Sequence, residues 1–285
     1  MSATGKLAGF AAVLLLVFGG AVAVGGAIGP ERDGSDTAGG ADTMAGHGGP
    51  EDTAPDPVRG LAVTNGGLKL ALLETGLRRA RPTELRFSIL GEDGQPVREF
   101  EVEHEKRMHV IVVRRDGDGF QHLHPALGAD GVWHVGLTVP EAGLYRVFAD
   151  FKHDGEAQTL AADLAVDGEA DYRPLPAPSA TARSGDGYQV RLDTGRLRAG
   201  REAELSFSAS RDGKPVRTER YLGAGGHLVA LREGDLAYLH VHPEGHGKTV
   251  RFMTEFPSEG RYRLYLQFKH EGRVHTAEFT QEVTR

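Results

Sequence analysis

Three histidines recur at one internal spacing in two separate stretches of this chain. Met108 to Pro125 carries His109, His122 and His124; Gly226 to Pro243 carries His227, His240 and His242. Each stretch opens on a His and an apolar run, passes a Gly/Asp turn and closes on His-x-His-Pro. Neutral imidazole nitrogen is a ligand for Zn(II) and Cu(II), so convergent triads are candidate copper or zinc sites. His153 and His270 stand just before a turn at matched places in the two copies, in Phe151-Lys152-His153-Asp154-Gly155 and Phe268-Lys269-His270-Glu271-Gly272. They are candidate fourth ligands. His104, His134, His246 and His275 have no matched partner and read as surface residues.

The elements that must gather these side chains are β-hairpins. A turn at Asp116-Gly117 sets Ile111 opposite His122 and His109 opposite His124. A two-residue turn at Gly234-Asp235 sets Val229 opposite His240 and His227 opposite His242. Opposed residues share a face, as do residues two apart, so this register collects each triad on one face. A slip of one residue would disperse it. The expectation is therefore one His cluster per hairpin. The same face also carries Ile111, Val113 and Phe120, or Val229, Leu231 and Tyr238, and the opposite face is apolar too. Both faces are then covered, and the histidines have a second reading as buried structural groups held by backbone hydrogen bonds.

Around the hairpins the chain reads as all-β. Short apolar runs such as Leu68 to Leu73, Leu85 to Leu90 and Trp133 to Val139 alternate with turn signals such as Asp93-Gly94 and Asp154-Gly155. That spacing predicts antiparallel β-sandwiches of immunoglobulin-like kind. Trp133, Tyr145, Phe148, Phe151, Tyr262, Tyr265 and Phe268 are expected in the core, and Arg114 and Arg232 are expected solvated or paired with nearby acids. The second half repeats the first at an offset of about 120 residues: Glu84-Leu85-Arg86-Phe87-Ser88 matches Glu204-Leu205-Ser206-Phe207-Ser208, and Asp93-Gly94-Gln95-Pro96-Val97-Arg98 matches Asp212-Gly213-Lys214-Pro215-Val216-Arg217.

The chain has 285 residues, a net charge of −7, 13 histidines and no cysteine. The length fits two domains. Mild acidity without a Lys/Arg stripe argues against a nucleic-acid partner. The lack of cysteine excludes disulfides and thiolate metal sites. Lys6 precedes an uncharged apolar run from Leu7 to Ile28 that reads as a membrane anchor or a secretory signal, with Ala21-Val22-Ala23 as a cleavage site. The organisation expected is 1–28 anchor or signal, 29–60 flexible tether, 61–167 first sandwich, 168–186 Pro-rich linker and 187–285 second sandwich. Met44 and His47 lie in the tether, where the plain reading is a linker with one chance His. The sandwiches are expected outside the cytoplasm, on a single-pass anchor or secreted.

The stretch from Tyr221-Leu222-Gly223-Ala224 through His240-Val241-His242-Pro243, with Phe120-Gln121-His122-Leu123-His124-Pro125 in the first copy, resembles a family of actinobacterial secreted or membrane-anchored proteins. That family is similar in plan to the CopC and YtkA-like β-sandwich modules, and the resemblance covers roughly Leu61 to Val283. It implies an immunoglobulin-like sandwich and, on the CopC side, extracytoplasmic copper binding, although the CopC N-terminal His arrangement is missing here. The function read from the sequence is a membrane-anchored extracytoplasmic protein that binds copper or zinc for buffering or delivery. Its partners would be the metal ion and a membrane metal transporter or another envelope protein. The alternative is a non-catalytic cell-envelope structural or interaction module. An enzyme is not expected: the cupin-like spacing of Gly234 to His240 lacks its downstream Glu and second motif, and no nucleophile–base pair or phosphate loop occurs.

Overall fold

The computed structural model describes residues 58–239, 241–244 and 249–285, with backbone only at 242–244. The expected anchor, most of the tether, Met44, His47, His240 and His246 lie outside the described residues. Among the described residues there is no helix long and apolar enough to cross a membrane. Every regular element in them is a strand.

The first domain holds β1 (Thr64–Asn65), β2 (Leu68–Leu72), β3 (Gly76–Leu77), β4 (Thr83–Leu90), β5 (His109–Arg114), β6 (Gln121–Leu123), β7 (Ala126–Leu127), β8 (Trp133–Leu137), β9 (Gly143–His153) and β10 (Glu156–Val166). They form two sheets, ordered β1-β2-β4-β8-β7 and β3-β10-β9-β5-β6. All pairings are antiparallel except β3 with β10. The second domain holds β11 (Thr181–Arg183), β12 (Tyr188–Asp193), β13 (Glu202–Arg211), β14 (Lys214–Pro215), β15 (His227–Arg232), β16 (Tyr238–Leu239), β17 (His242–Glu244), β18 (Val250–Glu255), β19 (Gly260–His270) and β20 (Arg273–Val283). Its sheets are β11-β12-β13-β18-β17 and β16-β15-β19-β20. A parallel bridge between Arg198 and Thr284 repeats the β3–β10 contact.

This strand order is the immunoglobulin one, with A, B, E and D strands in one sheet and C, F and G in the other. Each domain also has a tyrosine corner at the start of its F strand. The Tyr145 hydroxyl donates to the Glu141 carbonyl at 3.0 Å, and the Tyr262 hydroxyl to the Ser258 carbonyl at 3.0 Å. The conserved order of elements in the two halves gives one fold twice.

Burial patterns explain how the halves meet. The outer strand β12 alternates buried and exposed, as a sheet with one solvated face must. By contrast β5 is buried at all six positions, and β9 and β19 carry unbroken buried runs of seven. The C, F and G sheets are therefore covered on both faces. Val110 and Val112 enter the first domain's core, and Leu228 and Ala230 enter the second's. The intervening Ile111, Val113, Val229 and Leu231 join Phe148, Ala161, Leu236, Tyr238 and Tyr265 in a third cluster drawn from both domains. Each Val, Leu, Ile and Phe side chain among them contributes roughly 1.5–3 kcal/mol of burial. Trp133, Tyr145 and Phe151 fill the first core, and Tyr262 and Phe268 the second. Phe148 and Tyr265 lie in the seam between domains instead.

The boundaries differ in detail from the sequence expectation. Gly60, assigned to the tether, donates its N–H to Thr159 at 3.2 Å, and Arg59 accepts from the Tyr238 N–H at 3.0 Å. Residue 181, assigned to the linker, already pairs in β11. The linker is tied down at several points: Arg173 N–H donates to Asp116 and Arg261 to the carbonyls of Leu175 and Pro176. Arg114 is almost fully buried and paired with Asp116 and Glu141, and Arg232 pairs with Asp235.

Candidate metal site in the interdomain seam

The hairpin register is the one the histidines require. Val110 pairs with Leu123, Ile111 with His122 and Val112 with Gln121. Continuing that register sets His109 opposite His124, just past the end of β6. In the second domain Ala230 pairs with Leu239 and Leu231 with Tyr238; the expected partner of Val229, His240, lies outside the described residues.

His242 departs from expectation. Its backbone pairs with Met253 in β17–β18, so it lies in the other sheet of the sandwich and not opposite His227. Val241, buried in the second core, carries the chain across between the sheets and ends the hairpin there. His153 and His270 are engaged elsewhere. His153 Nδ1 lies 2.9 Å from the Glu99 carbonyl, and His270 Nδ1 lies 2.8 Å from the Tyr188 hydroxyl. His275, expected at the surface, is buried and lies 2.8 Å from Asp186.

Among the described residues the histidines form one shared cluster, not one per domain. His109, His122 and His227 each offer a ring nitrogen, and all three lie within 4.8 Å of one another. Ring centroids are 5.3 Å apart for His109–His122, 5.6 Å for His109–His227 and 4.6 Å for His122–His227. His124 adjoins His109 at 5.1 Å and His122 at 4.7 Å. Four imidazoles around one tetrahedral ion have ring centres roughly 5 Å apart. His104 stands one step further out, 6.2 Å from His109 and 5.9 Å from His227.

Local structure fixes the rings. His227 opens β15 after Gly226, where a Cβ would lie 2.9 Å from the Gln267 carbonyl oxygen, so glycine admits the close approach of β19. His227 itself pairs with Gln267 in the ladder, and His109 pairs with Asp150. Gln267 reaches across the seam, and its Oε1 lies 2.7 Å from His122 Nδ1.

The hydrogen bonds fix the proton of His109 and tie that of His122 to the orientation of the Gln267 amide. His109 Nε2 is 3.1 Å from the Glu103 carbonyl, which only accepts, so Nε2 carries the proton and Nδ1 the lone pair. His122 Nδ1 faces Gln267 Oε1, while Gln267 Nε2 donates to Thr276 Oγ1 at 3.3 Å. With that amide orientation His122 Nε2 also carries a lone pair. These two lone-pair nitrogens face each other at 3.0 Å. Two nitrogens on one tetrahedral zinc at about 2.0–2.1 Å stand roughly 3.3 Å apart, so the spacing suits a bridging cation. An outer N–H on a carbonyl or amide is also the usual support of a metal-bound imidazole.

Electrostatics keep the rings neutral. Burial, then the neighbouring His109 and His124, pushes His122 down to about 3. Burial, then His109 and Lys106, pushes His124 down to about 4. Burial also lowers His109. His124 Nε2 is buried with no hydrogen-bond partner among the described residues.

Fold and site together define a tandem immunoglobulin-like protein with a histidine-lined seam between its domains. The chain belongs to the family described as a domain of unknown function, DUF8832, whose model matches residues 62–168 and again 181–285. No curated protein matches the chain. Solved structures with likeness include the Escherichia coli adhesin FdeC, at 14% identity over 79% of this chain and 66% of that chain, TM-score 0.28. This chain thus spans just under two thirds of that one. Domains 5–6 of the S-layer protein SbsC match at 14% identity over 76% and 96% of the two chains, TM-score 0.23. A putative membrane-anchored protein from Corynebacterium diphtheriae matches at 9% identity over 78% and 59%, TM-score 0.24. The strand order, not these likenesses, assigns the fold.

Proposed function

We propose that this chain is a non-catalytic, extracytoplasmic tandem immunoglobulin-like module that holds one divalent ion, copper or zinc, between its domains. His109 Nδ1, His122 Nε2 and a ring nitrogen of His227 are the ligands, with His124 closing the fourth position. The observation that carries this reading is the convergence of ring nitrogens of His109, His122 and His227 within 4.8 Å of one another, with His109 Nδ1 and His122 Nε2 at 3.0 Å. An all-imidazole, neutral donor set favours Cu(II) and Zn(II) over Mg(II) or Ca(II), which take oxygen. Four protein ligands leave no position for water, and closed sites of that kind hold structure instead of activating a nucleophile.

Isothermal titration of the full chain with Zn(II) and with Cu(II) tests this. Stoichiometric uptake that disappears in His122→Ala is expected. A wild-type chain that takes up neither ion overturns the reading.

A second reading rests on Gln267. If its amide is turned, Nε2 donates to His122 Nδ1, and His122 Nε2–H then donates to His109 Nδ1. That chain of hydrogen bonds satisfies His109 and His122 without metal, and the histidines become interdomain struts in an envelope module. It predicts that His122→Ala lowers stability while the wild type binds no ion.

A further inference from the structure

The turn Glu103–Lys106 places a glutamate, Glu105, in a left-handed conformation that its side chain does not favour. Glu103 and Lys106 exchange N–H···O bonds of 2.8 and 3.0 Å, the pattern of a two-residue hairpin turn. The central residues His104 and Glu105 have φ of 48° and 65°, both left-handed. Turns of this type prefer Asn-Gly; His is among the L residues that tolerate the left-handed region, so Glu105, in the glycine position, is the unfavoured residue. The matching turn of the second domain, Tyr221–Ala224, has Leu222 and Gly223 at φ 53° and 80°, with glycine where the first has Glu105. Strain of this kind persists where something else demands the conformation.

Three observations say what is gained. The turn aims the half-buried His104 ring at His109 and His227, edge to face. Its Glu103 carbonyl holds His109 Nε2. The second domain's turn flanks it, with the Cβ position of Gly223 3.8 Å from Glu105 Oε1. His104 therefore stands at the rim of a buried site that needs an entry path.

We propose that His104 is the exchange ligand of the seam: it captures an incoming metal ion and passes it to His109 and His227, and receives it on release. This rests on the metal reading above. An exchange ligand outside the final set lowers the barrier in both directions and leaves the equilibrium unchanged.

The test is stopped-flow Zn(II) uptake by the full chain and Zn(II) release to a chromogenic chelator, in wild type and His104→Asn. Asparagine tolerates the left-handed backbone, so the turn is kept while the imidazole is lost. Both rate constants are expected to fall by about tenfold, the scale of losing one supporting group, with Kd held within about twofold. Unchanged rates overturn the proposal, as does faster release with weaker binding, which would place His104 in the final ligand set. Glu105→Gly relieves the turn and keeps His104, so it should retain wild-type rates. Slowing equal to that of His104→Asn would trace the effect to the turn and not the imidazole, and would also overturn the proposal. Absence of Zn(II) uptake by the wild type is a separate outcome, and it removes the seam reading itself.

Discussion

Phe120 of the first domain stacks on Tyr265 of the second, with ring centroids 4.1 Å apart and planes 8° from parallel. The counterparts of these residues in the repeat, Tyr238 and Phe148, meet each other at 5.4 Å. The contact is thus reciprocal, as in a two-fold dimer, although both halves lie on one chain. Tyr265 is fully buried and its hydroxyl donates to the Gly117 carbonyl. Tyr265→Ala is expected to cost roughly 3–5 kcal/mol, the range for losing a buried aromatic ring. Because the loss falls in the seam, denaturant unfolding followed by fluorescence and by circular dichroism should separate into two transitions. A single cooperative transition with unchanged midpoint would show that the seam does not couple the domains.

Gln267 distinguishes the metal from the strut. A carboxylate at that position only accepts, so Gln267→Glu fixes the proton on His122 Nδ1 and leaves Nε2 free for a ligand bond. Metal affinity is expected to rise by about tenfold, the scale on which outer partners of ligand histidines act. Competition against a chelator of known affinity measures it. Weaker binding together with lower apo stability would favour the metal-free network.

Acid should loosen the apo protein before it reaches the carboxylate range. The folded values of His122 and His124 are lowered to about 3 and about 4, against the ordinary 6.5. Between those values and 6.5 the unfolded chain binds more protons than the folded one. Stability therefore rises with pH across this window and is lost as pH falls below 6.5. The slope is up to about 1.4 kcal/mol per pH unit for each histidine. Urea midpoints of wild type and His122→Ala/His124→Ala, taken from pH 7 to 4, check this. The double variant should show the shallower fall; parallel curves would contradict it.

Much of the fold was legible because its signals are local. The apolar alternation and turn residues mark the strands, and the matched pentapeptides mark two copies. The expected register is met, since Ile111 faces His122, although the turn itself is centred on Arg115-Asp116, with the Gly117 N–H donating to the Arg114 carbonyl, and not on Asp116-Gly117. The run from His109 to Val113, apolar after its first residue, also announced a sheet buried on both faces. What covers the second face was not legible, because packing of Ile111 and Val113 against Val229 and Leu231 depends on how two domains dock. That docking is what delivers His227 to His109 and His122. His242 was misplaced since a hairpin count carries no mark of the crossing at Val241 between sheets. His104 gave no signal of its role through the repeat, because the second copy holds no matching histidine: Leu222 stands at that place in its turn. Its proximity to His109 in sequence was the signal available.

The proposed site is a single ion held by ligands from both domains. Anomalous diffraction from crystals of the full chain grown with Zn(II) tests it most directly. One peak per chain is expected, about 2.0–2.1 Å from His109 Nδ1, His122 Nε2 and a ring nitrogen of His227. Two peaks, one within each domain, or a peak without His227 in its sphere, would contradict it.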